Sequence, residues 1–188
     1  MKERIETLLL STGRWGICDL ISHMDMSGFY EAPCSGSKHL SKQGGLAEHS
    51  LNVYEIMTRL NKTLDAGYPE ETIILCAILH DLGKMGDHDK PNYVPYILKS
   101  GKQSEATPYK TNPDLVYIDH EIRSLTIARQ FISLTEEEEQ AILWHNGLYG
   151  IFYRQIPGKE TPLYLLLHMA DMWASRVIEK EVTQDEAV

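Results

Sequence analysis

With 188 residues the chain has the usual size of one domain, and at 43% hydrophobic and 24% charged it is too apolar for disorder. Eighteen Lys+Arg against 27 Asp+Glu leave a formal charge of -9, which lacks the basic footprint of a protein that binds duplex nucleic acid. The N-terminus MKERIETLLL has no signal-peptide core, the longest apolar run, IILCAIL, is too short to span a bilayer, and Cys18, Cys34 and Cys76 have no CxxC spacing, so a cytoplasmic protein with reduced thiols is expected, neither secreted nor in a membrane.

Taken in chain order, the elements are mostly helical. KERIETLLL and RWGICDLISHM carry apolar residues every three or four positions and are expected to pair as a lid or base. Residues 28–45, rich in Gly and Ser, read as a loop, which makes 1–43 a helical and loop extension of a single domain spanning 1–188. In the next helix Leu46, His49, Val53, Ile56 and Leu60 recur at helical spacing, so His49 lies in the apolar stripe. A further helix starts at PEET, with Pro69 in its first turn, and runs through IILCAILHD until Gly83 can end it. Its last residues set His80 and Asp81 directly behind a core segment.

Residues 86–118 break the helical pattern. Their β-branched and aromatic residues, several prolines and a KSGK turn read as a β-hairpin excursion. Helices resume at DHEIRSLTIARQFI and at TEEEEQAILWH, where Thr135 and Glu138 have capping-box spacing. After a loop containing Gly147, Gly150, Pro157 and Gly158, TPLYLLLHMADMWASRVIEK forms the last long helix, with Leu167, Asp171, Ala174 and Ile178 on one face. The expected fold class is all-α, a helical bundle with one hairpin excursion.

Six groups stand out on faces that apolar neighbours mark as buried: His49, His80, Asp81, His120, His145 and Asp171. Singly, each reads as a hydrogen-bonded core residue. Together they do not, because ionised carboxylates in an apolar interior are costly unless paired or metal-bound. Imidazole nitrogens combined with carboxylate oxygens suit a divalent transition ion, Mn, Fe, Zn, Co or Ni. Lys84, one turn beyond His80, has two readings: a phosphate contact in the same site, or a cation at a helix C-terminus.

GGLAEHSLNVY, AILHDLGK and HMADMWAS together resemble the H…HD…D signature of the HD-domain metal-dependent phosphohydrolases, over roughly residues 44 to 180. The chain is most similar to small prophage-type HD proteins and to the HD modules of 3′-5′ exoribonucleases. The resemblance implies an HD-domain helical bundle in which His49, His80, Asp81 and Asp171 bind one metal. His120 and His145 match the extra histidines of the two-metal branch and would hold a second ion, with Asp81 as the bridge. The cyclic-dinucleotide branch has a paired histidine and a Gly-Tyr-Pro signature, whereas here Asn146 follows the histidine in WHNG and no such tripeptide occurs.

The implied activity is hydrolysis of a phosphate ester or phosphodiester of a nucleotide-type small molecule by a metal-activated hydroxide, with Asp81 and Lys84 as catalytic groups. Further candidates for substrate contacts are Lys38 and His39 in the loop before the His49 helix, Arg123 and Ser124 beside His120, and Trp144 beside His145. His168, three residues before Asp171, orients a ligand or bonds to backbone. Two other readings stay open: an exoribonuclease-like phosphodiesterase acting on RNA 3′ ends, and a non-catalytic nucleotide-binding sensor on the same scaffold.

Overall fold

The computed structural model describes residues 1–180. Among these residues there are seven α-helices: α1 (Lys2–Ser11), α2 (Ile17–Met26), α3 (Gly45–Thr63), α4 (Glu70–Leu79), α5 (His120–Phe131), α6 (Glu136–Trp144) and α7 (Pro162–Trp173). None is long and apolar enough to cross a membrane.

The bundle is organised around α4. Every residue from Thr72 to Leu79 is buried, so this helix has no polar face and takes the middle position, against α1, α3, α5 and α6. α7 closes the bundle against α3 and α6. The two N-terminal helices form a base and not a lid: Ile5 and Leu9 of α1 and Leu20 and Met24 of α2 are fully buried in the same core. α2 starts at Ile17, three residues later than Arg14, whose guanidinium is committed to Glu138.

Pro69 caps α4 with extended backbone and does not sit in its first turn. Nor does Gly83 end this helix, which stops at Leu79 and passes through His80 and Asp81 into a 3-10 turn, Leu82–Met85. Gly83 has another role. A Cβ there would lie 2.5 Å from the His120 carbonyl oxygen and 2.9 Å from the Ser124 nitrogen, so only glycine lets α5 approach the turn this closely. The Gly83 N–H donates to Ser124 Oγ at 2.8 Å and locks the contact. The two histidine-bearing segments are thereby held side by side.

The hairpin excursion is two short antiparallel pairs, β1 (Gly86–Asp87) with β2 (Lys90–Pro91) and β3 (Tyr93–Pro95) with β4 (Tyr109–Thr111), and Ile97 bridges Gln103 around the KSGK turn. Arg123, buried on α5, fastens its base by donating to Asp87 Oδ2 at 3.0 Å and to the Val116 carbonyl at 2.9 Å.

α7 begins where Thr161 accepts the Tyr164 N–H and Pro162 takes the first turn. It does not run on to Lys180 as a regular helix. From Ala174 to Ile178 the backbone widens into a π turn, with the Glu179 N–H bonded to the Ala174 carbonyl at 2.9 Å. Ala174 stays buried, but Ile178 leaves the Asp171 face and is 52% exposed.

Glu138 ties the helices together. The capping box at Thr135 forms as the spacing requires. Its fully buried carboxylate also accepts from both Arg14 terminal nitrogens at 3.0 and 3.1 Å and from Thr72 Oγ1 at 3.1 Å. Glu138→Ala takes the buried carboxylate from Arg14 and Thr72, leaving Arg14 the Ser133 carbonyl and Glu71, and is expected to lower unfolding free energy by about 3 kcal/mol. Thr135→Ala, which loses only the cap, should cost about 1 kcal/mol. Urea denaturation of the two variants measures the difference.

Candidate metal centre

The end of α4 places His80 and Asp81 under α3, α5, α6 and α7, each of which turns one side chain toward them. Asp81 is the hub. Its Oδ2 lies 3.5 Å from His49 Nε2 and 3.4 Å from His80 Nε2, and its Oδ1 lies 3.2 Å from His120 Nε2 and 3.4 Å from His145 Nε2. Asp171 Oδ1 completes the first side at 3.2 Å from His49 Nε2. All six expected residues therefore meet in one cluster, and two overlapping donor groups within it, His49–His80–Asp171 and His80–Asp81–His145, have the spacing of metal ligands.

The rings are aimed by their other nitrogens. His80 Nδ1 donates to the Ala77 carbonyl at 2.9 Å and His145 Nδ1 to the Ile142 carbonyl at 2.8 Å, each one helical turn back. His49 Nδ1 donates to both oxygens of Glu179 at 3.0 Å. Glu121 Oε2 stands 3.3 Å from His120 Nδ1. The Nε2 atoms of His49, His80 and His145 are thus left as the inward-facing nitrogens, the arrangement of metal-ligating histidines.

Two features of the cluster suit a cation. His49 Nε2 and His80 Nε2 face each other at 3.3 Å, so in neutral rings two lone pairs converge. Asp81 Oδ1 is buried with no hydrogen-bond partner among the described residues. Donors on a common ion at about 2.1 Å are separated by about 3.0–3.4 Å, which matches the spacing here. The residues fit divalent metal.

Electrostatics agree. Burial pushes the Asp81 carboxyl up, but Lys84 and then His80, His120 and His145 outweigh it and hold it well below the usual range. Burial works against charge on Lys84 too, yet Asp81, 2.6 Å from its Nζ, keeps the ammonium protonated. Burial, and after it the neighbouring His145, lower His80 against the pull of Asp81 and Asp171, which favours the neutral ring that ligation needs. His49 is raised despite its burial by Cys34, Asp171 and Glu179, and His145 despite its burial by Asp81.

Beyond the ligands, the expected substrate residues divide. Lys38, His39 and Lys84 line a cavity of about 450 Å3 that opens beside Asp171. Arg123, Ser124 and Trp144 do not line it: Arg123 is spent on Asp87 and the hairpin, Ser124 receives the Gly83 N–H, and Trp144 packs edge-on against Tyr164. His168 donates to the His145 carbonyl at 2.7 Å and so buttresses a ligand helix through backbone.

Other members of the site escape a sequence reading. Glu179 binds His49, His39 Nδ1 at 2.6 Å and Asn52 Nδ2 at 2.8 Å; burial opposes its charge, but these donors bring its carboxyl down to about 2. Asn146 contacts His120 Nε2 at 3.1 Å and donates to Glu121 at 2.7 Å. Asn52, one turn from His49, carries a spacing signal; Glu179, in a charged stretch, carries none.

A family model described as HD domain matches residues 46–172, which include every one of the six clustered residues. The comparisons with curated proteins and with solved structures found no match.

Two outcomes test the centre. Glu179→Gln keeps the shape but weakens the acceptor for His49 Nδ1, and should lower metal affinity about 10–100-fold, measured by equilibrium dialysis. The acids beside His49 and His145 favour their protonated forms, and a ring must lose its proton to ligate. Metal uptake should therefore release protons and tighten as pH rises. Calorimetry in buffers of different ionisation enthalpy counts them.

Proposed function

The chain belongs to the HD-domain superfamily of metal-dependent phosphohydrolases, and on that premise we propose that it hydrolyses a phosphate ester of a nucleotide-type small molecule at a pair of divalent transition ions. The observation that carries the reading is Asp81, whose two oxygens face two separate sets of imidazoles. In this reading His49, His80, Asp81 and Asp171 hold one ion, and Asp81, His120 and His145 hold the other. When bound, two such ions supply Lewis-acid charge to the phosphoryl oxygens and make water a competent nucleophile at neutral pH.

The chain's own groups do the rest. Asp81 sets the spacing of the two ligand sets. Lys84, anchored on Asp81 and lining the cavity, presents its ammonium where a phosphoryl oxygen gains charge. Glu179 and the two backbone carbonyls keep His49, His80 and His145 from rotating, and Asn146, held by Glu121, contacts His120. In the reaction water oxygen forms a bond to phosphorus, the ester P–O bond breaks, and the protons of water end on the leaving alcohol and the solvent or phosphate. The polar cavity of about 450 Å3 has the size for a nucleotide, and the formal charge of -9 disfavours a duplex.

Protein loaded with Mn and assayed on nucleoside monophosphates is expected to release phosphate and to contain about two ions per chain. His120→Ala combined with His145→Ala should leave one. Asp81→Asn should abolish turnover, and Lys84→Met should lower kcat/KM about 100-fold with metal content retained. One ion per chain in the native protein, unchanged by the histidine substitutions, overturns the two-ion reading. Release from short RNA in place of mononucleotides would make it an exoribonuclease-like enzyme.

A further inference from the structure

The cavity carries more positive charge than one phosphate needs. Lys38, Lys84 and Arg176 line it, and among the described residues Asp171 is its only lining carboxylate. Lys84 is committed to Asp81 at the metal centre. Lys38 and Arg176 remain: both are exposed, and neither has a carboxylate partner among the described residues.

Arg176 is also pre-positioned. It sits on the π turn, Ala174–Ile178, and its guanidinium carbon lies 4.6 Å from the centre of the Tyr149 ring. A guanidinium resting on an aromatic face keeps its N–H edge free for a bidentate anion. Tyr149 is in turn held by its loop. Gly147 adopts φ +55 against His168, and a Cβ there would lie 2.4 Å from the His168 ring, so the turn Gly147–Tyr149 seats only with glycine. A π turn at a helix end, and a tight glycine contact in the facing loop, converge on one arginine at the cavity mouth. Such local departures from regular backbone gather at functional sites.

We propose that Arg176 and Lys38 form a second phosphate subsite at the mouth of the cavity, so that the substrate is a nucleotide bearing two phosphate groups, one cleaved at the metal centre and the other held at the mouth. The inference rests on the phosphohydrolase reading above. Tyr149 acts as a positioning residue for Arg176. Two arrangements share this chemistry, a diphosphate chain and two phosphates on separate ribose oxygens, and the assay separates them.

Mn-loaded protein is assayed on the 5′-monophosphate, 5′-diphosphate and 3′,5′-bisphosphate of adenosine and of guanosine. At least one two-phosphate compound is expected to exceed its monophosphate in kcat/KM by about tenfold or more, as a charge-assisted contact implies. In Arg176→Gln and in Lys38→Gln that ratio should fall toward one, while circular dichroism shows the helices intact. A ratio unchanged in both variants, or a native preference for monophosphates, overturns the subsite. If no compound releases phosphate, the hydrolase reading fails separately. Calorimetric binding of the same compounds then decides: tighter binding of a two-phosphate compound, lost in Arg176→Gln, supports the subsite, and equal binding overturns it.

Discussion

An ionised carboxylate with both oxygens turned toward imidazoles in a dry interior is the constraint from which this structure follows. A buried charge of that kind costs several kcal/mol unless matched, and the match must come from more than one direction because Asp81 has two oxygens to satisfy. Its position behind α4, the most apolar helix, brings it into the core. Helices α3, α5, α6 and α7 must then all present a ligand at the same point, with Lys84 as the added counter-charge. Gly83 allows this by removing the Cβ that would hold α5 away.

A second layer transmits the constraint outward. The rings of His49, His80 and His145 have their outer nitrogens tied to a carboxylate or a carbonyl, which turns their Nε2 atoms inward, and His120 has Glu121 beside its Nδ1 and Asn146 on its Nε2. Glu179 does most in this layer, because one carboxylate joins His49 of α3, His39 of the preceding loop and Asn52. It reaches them because the π turn after α7 adds a residue to the last turn and swings the chain back toward α3. The same turn presents Arg176 to the cavity. One irregularity thus sets both Glu179 against the histidine cluster and Arg176 against the cavity.

The scaffold and the rim are built differently. The six clustered groups stand on or at the ends of helices that share one apolar core. The residues of the cavity mouth, Lys38, Tyr149 and Arg176, come from a loop, a short 3-10 turn and a π turn. Rigid elements give the clustered groups fixed spacing, and connecting segments carry the groups at the cavity mouth, where binding groups commonly lie. The hairpin is pinned to α5 through Arg123 and to the loop before α3 by the Tyr109 N–H on the Gly36 carbonyl, and none of its residues lines the cavity.

The amino-acid sequence alone determined the helical class, the six clustered residues and the capping of α6. These are local properties: a 3.6-residue period marks which side chains are buried, and a carboxylate or imidazole on a buried face must have a partner. It misplaced what depends on where a neighbouring element lies. Arg123 and Ser124 follow His120 by one turn, yet that turn already lies beneath Gly83 and the hairpin, and Trp144 precedes His145 by about 100° of helix rotation. Glu179 sits in a stretch that reads as solvent-facing charge on a continuing helix. Only the tertiary structure, by widening α7 into a π turn, turned it onto His49, because the direction of a side chain beyond an irregular turn is set by what the chain packs against and not by its period.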